Sequence, residues 1–191
     1  MSQMRKSIVN LADKKPSDVG YIHTIPNSRN GNDYTTVITD IVMECGDFAN
    51  LLMILKNATE NDTVTLKLSS PGGSVETGIF ICNAIMNTKA KVVTQAMGFN
   101  ASIAAVIWCM GHEKQLTPTA TLMFHMPSGF GFGKTANVEE ESKYMQEYFK
   151  YLLTNITKDI LTESEFDDMV NGRKDTFLPY RVLKNRMKKE G

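Results

Sequence analysis

In the stretch GFNASIAAVIW, residues 98–108, a single hydroxyl separates small residues from an unbroken apolar run. A buried hydroxyl without a partner costs on the order of 1 to 3 kcal/mol, so Ser102 is either satisfied by the chain or used by it. Serine leads the residues that cap helix N-termini, and an apolar helix is expected directly after it. The same position suits a nucleophile, because the positive end of a helix favours developing negative charge. Upstream, SPGGS (70–74) ends what reads as a strand. Successive glycines let backbone N–H groups approach a substrate oxygen and form an oxyanion hole, although a plain turn uses the same residues. In TLMFHMP (121–127), Leu122 and Phe124 alternate with Met123 and His125. A strand histidine is either structural or a general base. A serine hydroxyl becomes nucleophilic when a base takes its proton and a carboxylate holds that base in the right tautomer.

The elements around these residues must position them. From Tyr34, TTVITDIVM has the β-branched content of a strand. In DFANLLMILKNA the residues Phe48, Leu51, Leu52 and Leu55 recur at helical spacing behind Asp47, the expected cap. TVTLKLSS alternates Val64, Leu66 and Leu68, and VETGIFICNAIM predicts a helix leading into a third strand, AKVVTQAMG. Ser102 opens a helix to Met110, followed by the short strand KQLTP and then TATLMFHMP. Strands alternating with helices imply βαβ crossovers and a parallel sheet, whose carboxyl ends, where SPGGS and GFNAS fall, are the usual ligand sites. A long helix is expected over 137–160, carrying Val138, Tyr144, Met145, Tyr148, Phe149 and Leu152 among charges, after a hinge or exposed strand at GFGFGK. From Ser164 follow an acidic helix, the phrase KDTFLP and a basic tail. Residues 1–33, broken by Pro16, Gly20, Pro26 and NSRNGND, read as an arm or loop, which leaves 34–191 as one domain without repeat or linker.

Composition narrows the classes. With 191 residues, 42% of them hydrophobic and 22% charged, the chain has the makings of one globular core. Lys plus Arg and Asp plus Glu both number 21, which gives no electrostatic case for nucleic acid or an anionic membrane as partner. Cys45, Cys82 and Cys109 are odd in number, widely spaced and set in apolar surroundings, which predicts reduced core thiols in a cytoplasmic protein and no metal site. No membrane span or secretion signal is expected.

Taken together, LSSPGGSVETGIFICNAI, GFNASIAA and TLMFHMPSGFGFGKTANVEE resemble, in order and spacing, the proteolytic subunit of the Clp protease (ClpP, peptidase family S14) over about Val64 to Leu178. The resemblance implies an α/β fold of the ClpP/crotonase type with a protruding handle helix, the handle falling at about 129–160. It implies a self-compartmentalised serine endopeptidase without cofactor, with Ser102 as nucleophile and His125 as base. Asp175, in the D-x-F phrase of KDTFL, matches the family's acid, with a charged surface residue as the alternative reading. The N–H groups of Gly73 and Ile103 match the oxyanion hole, and Gly72, Ser128, Gly129 and Phe130 fall where the family holds substrate. Polypeptide substrates, stacked heptameric rings forming a tetradecamer, and an AAA+ unfoldase such as ClpX or ClpA are the implied partners. With no Walker A sequence here, any ATP use belongs to that partner.

The chain also departs from the pattern. Ile103 replaces the methionine after the serine, Phe130 replaces a glycine of the substrate-pairing strand, and RVLKNRMKKEG replaces the usual YGLVD-like end. Residues 1–60 match poorly, and the divergent ends with the compact size fit a specialised, phage- or plasmid-encoded type of homologue. The rival readings are a non-catalytic ring subunit, a crotonase-type acyl-CoA enzyme that shares the oxyanion hole but needs no triad, and a Ser/Lys peptidase that needs no His125.

Overall fold

The computed structural model describes residues 21–39, 45–126 and 138–188. Among the described residues two sheets carry the architecture. Strands β1 (Ile22–Pro26), β2 (Asn32–Ile38), β3 (Thr63–Leu68), β4 (Lys91–Ala96) and β6 (Glu113–Leu116) form a five-stranded sheet in the order β1-β2-β3-β4-β6. All its pairs are parallel except β1 with β2. A smaller sheet has the order β5-β7-β8, with β5 (Phe99–Ala101) parallel to β7 (Thr121–Phe124) and β7 antiparallel to β8 (Thr176–Pro179). Helices α1 (Ala49–Asn57), α2 (Val75–Asn87) and α3 (Ile103–Cys109) connect the strands, and α4 (Val138–Thr157), α5 (Glu163–Val170) and α6 (Tyr180–Met187) follow. The βαβ crossovers expected from the alternating pattern are present.

Several local expectations are corrected. Residues 22–26, within the stretch read as an arm, form an edge strand, and the NSRNGND run is the turn of its hairpin, closed by Asn27 N–H on Gly31 O at 2.9 Å. Asn30, at φ 60°, supplies the left-handed residue that such a turn requires. Asp47 lies in a 3₁₀ turn, Cys45–Phe48, and the cap position of α1 is Phe48. GFNAS does not extend β4: the chain leaves that strand and starts the smaller sheet as β5. KDTFLP supplies β8, and the basic tail is helical, with Leu183 of α6 fully buried.

The core lies between the larger sheet and α1 to α3. Val64, Leu66 and Leu68 of β3 are buried against Leu51 and Leu55 of α1 and Ile81 and Ile85 of α2 within one hydrophobic cluster. Every residue of α3 is buried, including Trp108, whose indole N–H donates to Gln115 O at 3.0 Å. Helices α2 and α3 meet at Gly78, where a Cβ would come within 1.9 Å of Ile103 Cγ1. Ile103 is β-branched and cannot swing aside, so only glycine permits this approach. Burial pushes the Cys82 and Cys109 thiols up to about 12, which makes them core groups and poor nucleophiles. No helix among the described residues is long and apolar enough to cross a membrane.

The C-terminal third is held by one carboxylate. Thr162 and Glu165 form a capping box at the start of α5. Glu165 also takes two hydrogen bonds from Arg186 of α6, both at 2.8 Å, while Arg186 donates to Ile160 O beyond the end of α4. One guanidinium thereby joins α6 to α5 and to the turn that follows α4. The hydrogen bond from Arg186 outweighs the opposing effect of partial burial and holds the Glu165 carboxyl at about 2, below its ordinary value of 4.5. Because the folded value is depressed, this stabilisation is complete above the unfolded range and is lost as pH falls from about 4.5 through about 2. Glu165→Gln should therefore lower the denaturant midpoint at pH 7 and flatten its decline over that acidic range. A decline as steep as in the parent chain would place the acid sensitivity elsewhere.

Candidate active site

Ser102 follows β5 directly and precedes α3. Its backbone is at φ 56°, ψ −129°, a left-handed conformation that a non-glycine residue adopts at a cost on the order of 1 to 3 kcal/mol. It occupies the cap position of α3 but makes no side-chain cap hydrogen bond. The capping serine is instead Ser74, whose Oγ accepts from Thr77 N at 3.2 Å at the start of α2. The alternative reading of Ser102 as a helix cap thus has no hydrogen bond to support it.

Three contacts hold the strained turn. Ser102 N–H donates to Met123 O of β7 at 2.8 Å. Its carbonyl accepts from Ala105 and Val106 at 3.0 and 3.2 Å, starting α3. On the other side stands the SPGG turn, in which Gly72 has φ 101° and Gly73 φ 144°. A Cβ on Gly72 would meet Ala101 O at 2.8 Å and Ser102 Cβ at 2.9 Å, so this glycine lets the two turns touch. Gly73 is exposed, while Ile103 begins α3, where an N–H has no acceptor within the helix. Since α3 has only seven residues, individual N–H groups matter more than its macrodipole.

His125 is the first residue past β7 rather than a member of it, because the ladder with β8 ends at Phe124 and Thr176. Ser102 and His125 line one pocket, walled by Val75, Ile103, Val106, Phe149, Leu152 and Leu153. The last pair of the β7–β8 ladder is Phe124 with Thr176, so His125 and Asp175 are each the next residue beyond it. Asp175 is nevertheless exposed and lines a neighbouring pocket with Glu165, Asp168, Lys174, Thr176 and Phe177. No hydrogen bond links Ser102, His125 and Asp175 to one another among the described residues; such contacts often tighten only around bound substrate. Two other nearby carboxylates, Asp167 and Asp168, are paired with Arg173 at 2.5 and 3.3 Å. Ser128, Gly129 and Phe130 lie outside the described residues, as does the start of the handle.

Sequence reasoning passed over two residues. Ser70 and Asn100 are both fully buried, and they connect the SPGG turn to β5. A polar amide in an otherwise small and apolar phrase is the signal that could have marked Asn100. Among the described residues no group of three His, Cys, Asp or Glu side chains is arranged to hold a metal.

A family model described as Clp protease matches residues 37–175, well over half of the chain. The match covers SPGG, Ser102 and His125 and ends at Asp175. It also begins earlier than residue 64, where the motif resemblance starts, so residues 37–60 of the stretch 1–60 that matches poorly by motif lie within the family's domain. A mixed α/β fold with crossover helices, a serine on a strained strand-to-helix turn and a family match across both turns lead to one conclusion: the chain is a member of the Clp protease family, with a peptidase fold of the ClpP type.

Proposed function

We infer that the protein is a serine endopeptidase that cleaves unfolded polypeptides within an oligomeric chamber. The observation that carries this reading is Ser102 itself, held at positive φ without a capping role and sharing a pocket with His125. Ser102 Oγ attacks the scissile carbonyl carbon while His125 takes its proton, and His125 later returns that proton to the leaving amine. Asp175, one register step from β8, orients the imidazole and stabilises its cationic form. The N–H groups of Gly73 and Ile103 receive the tetrahedral oxyanion. Pocket walls of Val75, Val106, Phe149 and Leu153 favour an apolar side chain beside the scissile bond. The described lining contains no lysine, which favours histidine over lysine as the base.

Assembly is part of this reading. Tyr144, Tyr148 and Tyr151 form an exposed stripe on α4, at 68%, 37% and 73% exposure. Phe149, Leu152 and Leu153 of the same helix wall the Ser102 pocket. Because α4 packs back on the body through buried Phe149 and Leu153, it does not protrude along its whole length. The tyrosine stripe suits a contact between stacked rings, for which the family provides heptamers, and that contact would steady the pocket wall. Delivery of unfolded chains by an AAA+ unfoldase belongs to the same reading and rests on family membership.

A fluorophosphonate should label one site per chain, and Ser102→Ala should abolish both labelling and peptide cleavage; labelling that survives the substitution would remove Ser102 from the chemistry. Asp175→Asn should keep the fold while lowering kcat by roughly 10⁴-fold, the effect of a wrong histidine tautomer. Turnover within a few-fold of the parent would transfer that role to another group. Tyr144→Glu with Tyr151→Glu should shift native mass spectra to single rings or smaller species and abolish cleavage together, whereas a fully active monomer would break the link between assembly and the pocket.

A further inference from the structure

One buried side chain braces the oxyanion turn against the strand that delivers Ser102, and neither turn's motif explains it. Asn100 is 0% exposed. Its Oδ1 accepts from Ser70 N–H at 3.3 Å, and its Nδ2 donates to Gly98 O at 3.1 Å. An N–H on one side and a carbonyl on the other require a group that accepts at one end and donates at the other, and these partners dictate the orientation of the carboxamide. A carboxylate would face Gly98 O with a second acceptor, and an alanine would leave Ser70 N–H buried without its acceptor. The bracing continues through Ser70, whose carbonyl accepts from Ala101 N–H at 2.9 Å and whose Oγ accepts from Gly72 N–H at 3.2 Å. Gly72 in turn stands so close to Ser102 that a Cβ on it would meet Ser102 Cβ at 2.9 Å.

We propose that Asn100 is a positioning residue for the oxyanion hole: by tying Ser70 to β5, it sets the spacing between the Gly73 N–H and Ser102 Oγ. This rests on the reading of Ser102 as nucleophile. Asn100 reaches no substrate and acts through Ser70 and Gly72, so its effect falls on the geometry met by the tetrahedral intermediate rather than on ground-state binding.

The test uses the full chain, a short fluorogenic peptide with an apolar residue before the scissile bond, and a peptide boronate that forms a tetrahedral adduct with an active serine. Asn100→Ala should lower kcat by roughly 10- to 100-fold, as expected for a displacement of order 1 Å at a catalytic group, with KM nearly unchanged. Boronate affinity should fall in parallel with kcat. For the case in which Asn100→Ala does not fold, Asn100→Asp carries the test: its kcat relative to the parent should rise as pH falls and the buried carboxyl regains a proton to donate to Gly98 O. Parental kcat and boronate affinity in Asn100→Ala, or a pH-independent ratio in Asn100→Asp, would overturn the proposal while leaving Ser102 in place. A parent chain whose cleavage does not depend on Ser102 would overturn both readings.

Discussion

The architecture turns on a single unfavourable backbone conformation. Ser102 at φ 56° is costly for any residue with a Cβ, and it persists only because its surroundings leave no alternative. Its N–H is committed to Met123 of β7, its carbonyl to the first turn of α3, and its Cβ lies where only a glycine fits at position 72. The helix that follows is buried along its entire length, so relaxing the turn would drag Trp108 and its neighbours out of the core. Hydrophobic burial on the order of several kcal/mol in α3 is ample to offset strain of 1 to 3 kcal/mol at one residue.

Two glycines carry this constraint outward. Gly72 lets the SPGG turn approach the serine, and Gly78 lets α2 press on Ile103, the residue whose N–H opens α3. Either approach is incompatible with a Cβ at the distances present, so the SPGG turn, the Ser102 turn and the two helices behind them form one packed unit. Asn100 and Ser70 complete it with hydrogen bonds that satisfy buried backbone groups. The site is built from rigid elements on this side, as precise positioning requires.

The other half of the site is assembled differently. His125 and Asp175 stand just past the paired ends of β7 and β8, where the ladder no longer constrains them. They flank the last pair of that ladder, Phe124 with Thr176, while Arg186 joins α6 to Glu165 of α5. Helix α4 adds the apolar wall and presents its tyrosines on a different face. The Ser102 and SPGG turns are therefore packed against one another, whereas His125 and Asp175 lie beyond the paired strands.

Short-range signals made much of this legible. Alternation in TVTLKLSS, helical spacing in DFANLLMILKNA and the crossover pattern determined the α/β class, because periodicity and turn chemistry act within a few residues. The three motifs in order singled out Ser102 and His125. The edge strand β1, the second sheet and the helical C-terminus were hidden, since each depends on pairing or packing with residues distant in the chain. Sequence left Ser102 between a cap and a nucleophile, and Asp175 between an acid and a surface charge. Only the tertiary structure decided the φ of Ser102, the partners of Asn100 and the register that ends with Phe124 opposite Thr176. Each is the product of close packing and hydrogen bonding between separate segments, and no local pattern of residue types encodes that geometry.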